Sequence, residues 1–337
     1  MQNSSIKDFN VKQFLVNNSA FVILIVLVII ATLVQGTTFF NVINFRNILM
    51  NNAIIGIIAL GMTLIIISGG IDLSVGAASA ATGLIALQVM MNTRSVVLGF
   101  IAAIISGAIL GAFTGTLVAR FRIPAFIVTL GGMRIIRSLA QNYWDGGGIA
   151  ITPALDRDIA WFLNFSNPRA FAGLPHPLPL ISLPVLYWIG LAIIVAFVMR
   201  RTALGRHIYA VGSNERASNL SAINVKRVKT YVYMISGALV GFAALVEASR
   251  IGSMNSSMSG GFYELEAIAA VVIGGTAMSG GRGRIIGTVF GTLTLGVINN
   301  MMNLMGLPPF LVGAIQGSIV VLAVLLQRSV AERERQF

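Results

Sequence analysis

Apolar residues fill most of the chain in long blocks, and the polar positions gather in the short breaks between them. The blocks predict membrane helices at roughly 16–36, 49–69, 73–92, 96–119, 123–140, 181–199, 230–249, 264–280, 285–304 and 308–327. Each approaches or reaches about 20 residues, the length an α-helix needs to cross the hydrocarbon core of a bilayer. The pattern therefore predicts an all-α polytopic transmembrane bundle of about ten spans with glycine-broken helices, occupying residues 16–327. Residues 1–15 and 328–337 read as polar terminal segments. Residues 285–327 carry no charge, and the polar Asn299-Asn300 pair and the turn from Gly306 to Pro309 divide them into two spans. Proline pushes the residue before it out of helical geometry, so the helix stops there.

Two connections are long enough to have content of their own. Residues 141–180 hold Gly146-Gly147-Gly148, several prolines, Trp144 and Trp161. Trp161 with Phe162, Leu163 and Phe165 reads as part of an interfacial aromatic belt, since Trp and Tyr collect where the bilayer meets water. Residues 200–229 are strongly basic and contain a helix-like piece over 213–224. Ser213 or Asn214 can cap it, Glu215 lies in its first turn, where the helix dipole favours an acid, and Ala217, Leu220 and Ile223 form a small apolar stripe. A short amphipathic helix in such a loop suits docking to a soluble partner, although the pattern alone also fits a solvated connector.

Composition agrees with the membrane reading. Of 337 residues, 56% are hydrophobic and 10% charged, where a soluble domain carries about a quarter charged. The net charge of +12 is not a nucleic-acid signature, because its location follows the bilayer. With the N-terminus inside, the predicted inside segments hold 16 of the 23 Lys and Arg residues, which fits the positive-inside rule and places both termini in the cytoplasm. Zero cysteines exclude disulfides and thiolate metal sites, and only two histidines, His176 and His207, leave little for a catalytic zinc site. The absence of G-x-x-x-x-G-K-[ST] means that the chain has no ATPase motif of its own.

The candidate chemistry is polar residues placed among apolar ones. Asp72 follows Gly69-Gly70 and separates residues 47–71 from 73–93, neither of which carries a charge. An acid at membrane depth costs several kcal/mol unless paired or solvated, so it marks a pathway or caps a helix starting at Leu73. Asn51, Asn52, Thr63, Ser68, Thr129, Asn299 and Asn300 offer donors and acceptors for a hydroxylated solute, or hold helix to helix. Glu264 and Glu266 open a span near the outside, and either meet a partner, close a gate with an arginine or stabilise a helix N-terminus. Arg134 and Arg137 share a helix face and either snorkel outward or pair with Asp72 or Glu247. Glu247 and Arg250 are spaced to pair with each other. IGGTAMSGG (273–281) repeats the grammar of ISGGIDLSVG (67–76), the weak trace of an internal structural repeat.

Four blocks carry a family resemblance: ALGMTLIIISGGIDLSVG (59–76), TALGRHIYAVGSNERASNLSAINV (202–225), YELEAIAAVVIGGTAMSGGRGRIIGTVFG (263–291) and LGVINNMMNLMG (295–306). In this order and spacing the chain resembles the permease subunits of bacterial ATP-binding-cassette importers for monosaccharides, of the ribose/xylose/galactoside type and nearest to the ribose permeases. The likeness covers roughly residues 20–327. Ala222 stands where such permeases often have glycine, and the outer loop 141–180 is individual.

The resemblance implies an inner-membrane permease that works by alternating access. Its partners would be ATPase subunits that carry the ATP and magnesium, a periplasmic sugar-binding protein, and a second permease, identical or paralogous. Ser213, Asn214, Glu215, Arg216, Ala217 and Leu220 would dock the ATPase. Asp72, Gly69, Gly70, Asn51, Asn52, Ser68, Thr129, Asn299 and Asn300 would line the path, and Glu264, Glu266 and Arg137 would form a periplasmic gate or a contact for the binding protein. The solute is expected to be a ribose-like pentose. Import of another small polyol or signalling sugar is the nearest alternative. From another class, a proton-coupled secondary transporter would use Asp72 itself. Nothing in the chain resembles the catalytic cluster of an intramembrane enzyme.

Overall fold

A computed structural model describes residues 19–167, 182–308, 311–319, 321, 322 and 325. The two terminal segments and part of the outer loop, 168–181, lie outside the described residues. Helix α1 (Ser19–Gln35) leads into α2 (Val42–Ile67), α3 (Val75–Thr93), α4 (Val96–Phe121) and α5 (Ala125–Tyr143). After the outer loop come α6 (Leu183–Arg201), α7 (Ala203–Ser213), α8 (Glu215–Leu220) and α9 (Val225–Ile251), then α10 (Tyr263–Ile273) and α11 (Ile285–Leu304). Residues 311–319 are helical as well.

Among the described residues seven helices are long and apolar enough to cross a membrane: α1, α2, α3, α4, α6, α9 and α11. Helix α5 has 19 residues but is less apolar, carrying Arg134, Arg137, Gln141 and Asn142. The expected span 264–280 is instead an 11-residue helix followed by turns, because Gly274-Gly275 ends it and Gly275 takes φ +84. The inside loop also holds a helix that the sequence pattern did not predict, α7, ahead of the docking piece.

Helix α2 is the centre of the bundle: 83% of its apolar stretch is buried, against 28% for α4. Helix α4 turns Ile101, Ile105, Ile109 and Phe113 outward, an exposed apolar stripe at i, i+4 spacing. Its opposite face crosses α9 through glycine. A Cβ at Gly107 or Gly237 would strike the carbonyl of the other, and Gly111 lies just as close to the Tyr233 carbonyl. Small residues supply packing where lipid removes the hydrophobic drive between helices.

The described part of the loop between α5 and α6 packs onto the bundle. Residues Ala160–Ser166 form a 3-10 turn with Phe162 fully buried and Trp161 and Asn164 exposed. Ser249 Oγ donates to the Phe162 carbonyl (2.7 Å), and Ser166 Oγ donates to the Val246 carbonyl (2.9 Å), which stitches the turn to α9. Two three-residue strands, β1 (Gly148–Ala150) and β2 (Ser253–Asn255), pair antiparallel with Gly148 opposite Asn255. Gly148 must be glycine here, because a Cβ would meet the Met254 carbonyl. Arg94 at the end of α3 pairs with Asp156 (2.9 Å), tying α3 to this loop.

Candidate translocation site

A cavity of about 530 Å³ opens between the first half of α2, the last turns of α9, the start of α10 and the second half of α11. Its polar wall is Asn51, Asn52, Glu247, Arg250, Tyr263, Glu266, Asn299, Asn300 and Asn303. Ile48, Ile54, Ile55 and Ile251 complete it. With the N-terminus inside, these segments are the outer ends of their helices.

The wall is a hydrogen-bonded network. Asn44 and Asn300 pair their amides, Nδ2 to Oδ1 at 3.0 Å one way and 2.7 Å the other, and so lock α2 to α11. Asn52 donates to the Ile48 carbonyl (2.7 Å), and its side chain covers Gly296, where a Cβ would collide with it. Gln316 donates to Glu266 Oε1 (3.1 Å) and to Asn299 Oδ1 (3.0 Å), bringing the last described helix to the cavity rim. Arg250 donates to Asn51 Oδ1. Ser79 Oγ donates to Glu247 Oε2 (3.5 Å), and Tyr263 and the Gly260 backbone lie beside the same carboxylate. Glu247 and Arg250 thus engage other groups as well as sharing a helix face. Amides, carboxylates and a phenol together offer donors and acceptors at short range, the requirement of a neutral hydroxylated solute.

Of the expected path residues, the structure brings Asn51, Asn52, Asn299 and Asn300 to this cavity and leaves the others elsewhere. Ser68 Oγ donates to the Ile65 carbonyl (2.8 Å) within its own helix end. Thr129 is fully buried, with only a 3.5 Å bond to the Phe126 carbonyl. Thr63 bonds Thr288 across α2 and α11 (2.7 Å), a helix-to-helix contact. Gly69, Gly70 and Asp72 do not line the cavity.

Asp72 is buried and closes a turn on itself: its Oδ1 accepts from Ser74 N (2.8 Å) and Ser74 Oγ (2.6 Å). Helix α3 begins at Val75, two residues later than expected, so Asp72 organises the approach to that helix rather than capping it from the first position. The neighbouring Ile71 carbonyl accepts from the Tyr233 hydroxyl (2.9 Å). Tyr233 lies eight residues into α9, about 12 Å from its inner end at 1.5 Å per residue. The chain therefore climbs inside the bundle before α3 starts.

The gate candidates separate. Glu266 is in the cavity wall, whereas Glu264 lies against Gly76 in the first turn of α3. Arg137 donates to the Ser256 and Ser259 carbonyls (3.0 and 2.7 Å) and fixes the loop after β2. Arg134 is exposed on α5. Arg137 meets neither Asp72 nor Glu247 in an ion pair: the ion pairs among the described residues are Arg94–Asp156 and Lys229–Glu215 (2.6 Å).

In the loop between α6 and α9, Asn214 ends α7 and caps α8, accepting from Ala217 N at 3.0 Å. Ser213, Asn214, Glu215, Arg216 and Ala217 are exposed, and Leu220 is 91% exposed, a large apolar side chain with no cover in this chain. Helix α8, the candidate docking helix, is six residues, shorter than the expected 213–224, because the chain turns after Leu220 and Ala222 takes φ +60. That left-handed position explains why glycine suits it.

The polar wall was partly missed by sequence reasoning. Gly296, Asn299, Asn300 and Asn303 recur at i, i+3, i+4, i+7, a polar stripe on an apolar helix that points to all four. Tyr263, and the meeting of Glu247 and Arg250 with Asn51, have no such signal, because they depend on three separate helices.

The profile of a known family, the permease component of the branched-chain amino acid transport system, matches residues 44–324. The chain belongs to that family. Within it, the chain is 37% identical to the ribose import permease RbsC of Escherichia coli K12 over 318 residues, 94% of each chain. It is 34% identical to the galactose/methyl galactoside import permease MglC of Haemophilus influenzae over 319 residues, 91% of this chain and 92% of the relative. It is 35% identical to the fructose import permease FrcC of Rhizobium meliloti over 321 residues, 94% and 87% respectively. No solved structure matches the chain. As a family member with these apolar helices, it is an integral membrane permease of the monosaccharide-importer kind.

Proposed function

We propose that this chain is the membrane-spanning subunit of an ATP-driven, binding-protein-dependent importer of a ribose-like pentose. The observation that carries the reading is the amide-rich cavity at the outer helix ends, in a chain that matches sugar import permeases over nearly its whole length. The solute leaves the binding protein, occupies the space between Asn51, Glu266 and Asn299, and passes inward when the helices rearrange. Energy comes from a separate ATPase seated on α8, where exposed Leu220 and the polar Asn214-Glu215-Arg216 run face the cytoplasm. A second permease, identical or paralogous, completes the pathway, and both termini are cytoplasmic in the inner membrane.

The proton-coupled alternative needs a carboxylate exchanging protons along the path. Asp72 is held by Ser74 and lies outside the cavity wall, which speaks against that role. The test is uptake of labelled ribose into proteoliposomes holding the permease, its ATPase and the binding protein. Uptake that requires hydrolysable ATP and the binding protein is expected. Uptake indifferent to replacement of ATP by a non-hydrolysable analogue, or driven by a proton gradient alone, overturns the reading.

A further inference from the structure

Three glycine-bearing turns, distant in the chain, meet at one point on the inner side. Gly281 N donates to the Ile67 carbonyl (2.8 Å), joining the turn after α10 to the end of α2. The last turn of α7 closes on both: a Cβ at Gly212 would overlap the Ile67 carbonyl oxygen and come within 2.7 Å of Gly281 N. A Cβ at Gly280 would lie 2.8 Å from the Gly212 carbonyl and 3.1 Å from Gly69 Cα. One at Gly281 would lie 2.8 Å from Ser213 Cα. Gly69, Gly280 and Gly281 all take positive φ, of 81, 84 and 71. Tyr209 of α7 also donates to the Gly283 carbonyl (2.9 Å). Most of the contact is backbone on backbone, with the Ser213 hydroxyl the one side-chain atom among the nearest neighbours of Gly212, Gly280 and Gly281.

We infer that this junction is the joint through which the docking helix moves the cavity. The inference rests on the reading of α8 as the ATPase seat. Asn214 belongs to both α7 and α8, so a displacement of α8 reaches Gly212 within two residues. From Gly212 one route runs through Ile67 into α2, which carries Asn51 and Asn52 at its other end. The other runs through Gly280-Gly281 into α10 and α11, which carry Glu266 and Asn299. Both walls of the cavity thus hang from one rigid contact, and close packing transmits displacement rather than absorbing it. The dihedral change is taken up beside the contact rather than in it, at Gly69 and Gly275, which have positive φ and nothing within 4 Å of a Cβ position.

The test uses the reconstituted complex of permease, ATPase and binding protein. Gly212→Ala is expected to leave ATP hydrolysis near the wild-type rate and to lower uptake by about tenfold or more, within the range of coupling between sites. Gly190→Ala, at an α6 glycine with nothing within 4 Å, serves as the neutral control. Hydrolysis and uptake falling in parallel, or neither changing, would overturn the joint. Should Gly212→Ala fail to fold, a second measurement decides. The chain has no cysteine, so Ser279→Cys provides a single exposed thiol beside Gly280. Its maleimide labelling rate is expected to change about fivefold or more when a non-hydrolysable ATP analogue binds the complex. An unchanged rate sinks the proposal. A wild-type complex lacking ATP-dependent uptake refutes the function reading and the joint with it, whereas a coupled wild type with indifferent variants refutes the joint alone.

Discussion

The outer cavity and the inner glycine junction use opposite means. The cavity is made of side chains: asparagines, two glutamates, an arginine and a tyrosine surround about 530 Å³ of open space. The junction is made of backbone, with Gly212, Gly280 and Gly281 leaving no room even for a methyl group. One end of the bundle has volume and hydrogen-bonding capacity, which a solute needs. The other has neither, which makes it stiff. The difference teaches that glycine in this chain is not a uniform mark of flexibility: its role depends on what its missing side chain would strike.

The sharpest way to break the contrast is at a glycine that serves packing alone. Gly107→Val forces a branched side chain into the Gly237 carbonyl, and is expected to cost at least about 3 kcal/mol, the upper range of overpacking, and to abolish folded yield. Size-exclusion profiles of detergent-solubilised protein check this, and a normal profile would show that the helices separate easily. Next, Asn299→Leu removes an acceptor of Gln316 from the cavity wall. It is expected to lower uptake about tenfold, the worth of one lost hydrogen bond to the solute at about 0.5–1.5 kcal/mol, while Gln316 keeps its bond to Glu266 and yield stays near wild type. Loss of yield in proportion would make Asn299 a packing residue.

Asp72 tests the middle ground. Asp72→Ala deletes both bonds to Ser74 and is expected to cost about 1–2 kcal/mol, lowering yield and uptake together. Asp72→Asn keeps an acceptor oxygen and is expected to restore most of both. Uptake lost with full yield in Asp72→Asn would return the carboxylate to the pathway.

The smallest effect lies outside the membrane. The Thr152 amide, and then Arg94, hold the Asp156 carboxyl below the usual carboxylate range. A depressed value means the contribution is present at neutral pH and fades as pH falls through the folded-state value, below about pH 4. Limited proteolysis of the outer loop is expected to accelerate in that window, and Asp156→Asn is expected to remove the pH dependence.

Much of this arrangement was legible in the chain because the bilayer imposes length and polarity on every crossing helix. The centres of α1 to α4, α6, α9 and α11 coincide with apolar blocks. The block 264–280 misled because Gly274-Gly275 is apolar enough to extend a span but ends the helix in three dimensions. The strand pair was invisible, since its two three-residue segments lie about a hundred residues apart and local pattern says nothing of their meeting. In the site, the asparagines stood out as polar residues in apolar runs. Tyr263, Glu247 and Arg250 entered the same wall only because three helix ends converge. Asp72 was the most conspicuous residue in the sequence, yet its partner is Ser74, two positions away.

Helix α2 carries one last consequence, for how the protein is made. From residue 53 to residue 67 it is apolar all round apart from Thr63, and this stretch is sequestered in the finished bundle. Such a segment is at home in the bilayer before any neighbour exists, so it inserts by its own hydrophobicity and gains no further transfer energy when surrounded. Its place at the centre is therefore decided after insertion, by the fit of later-synthesised α9, α10 and α11 around it. A nascent chain ending shortly after Asp72 should already span the membrane, while resistance to detergent extraction or protease should appear only once those helices have emerged.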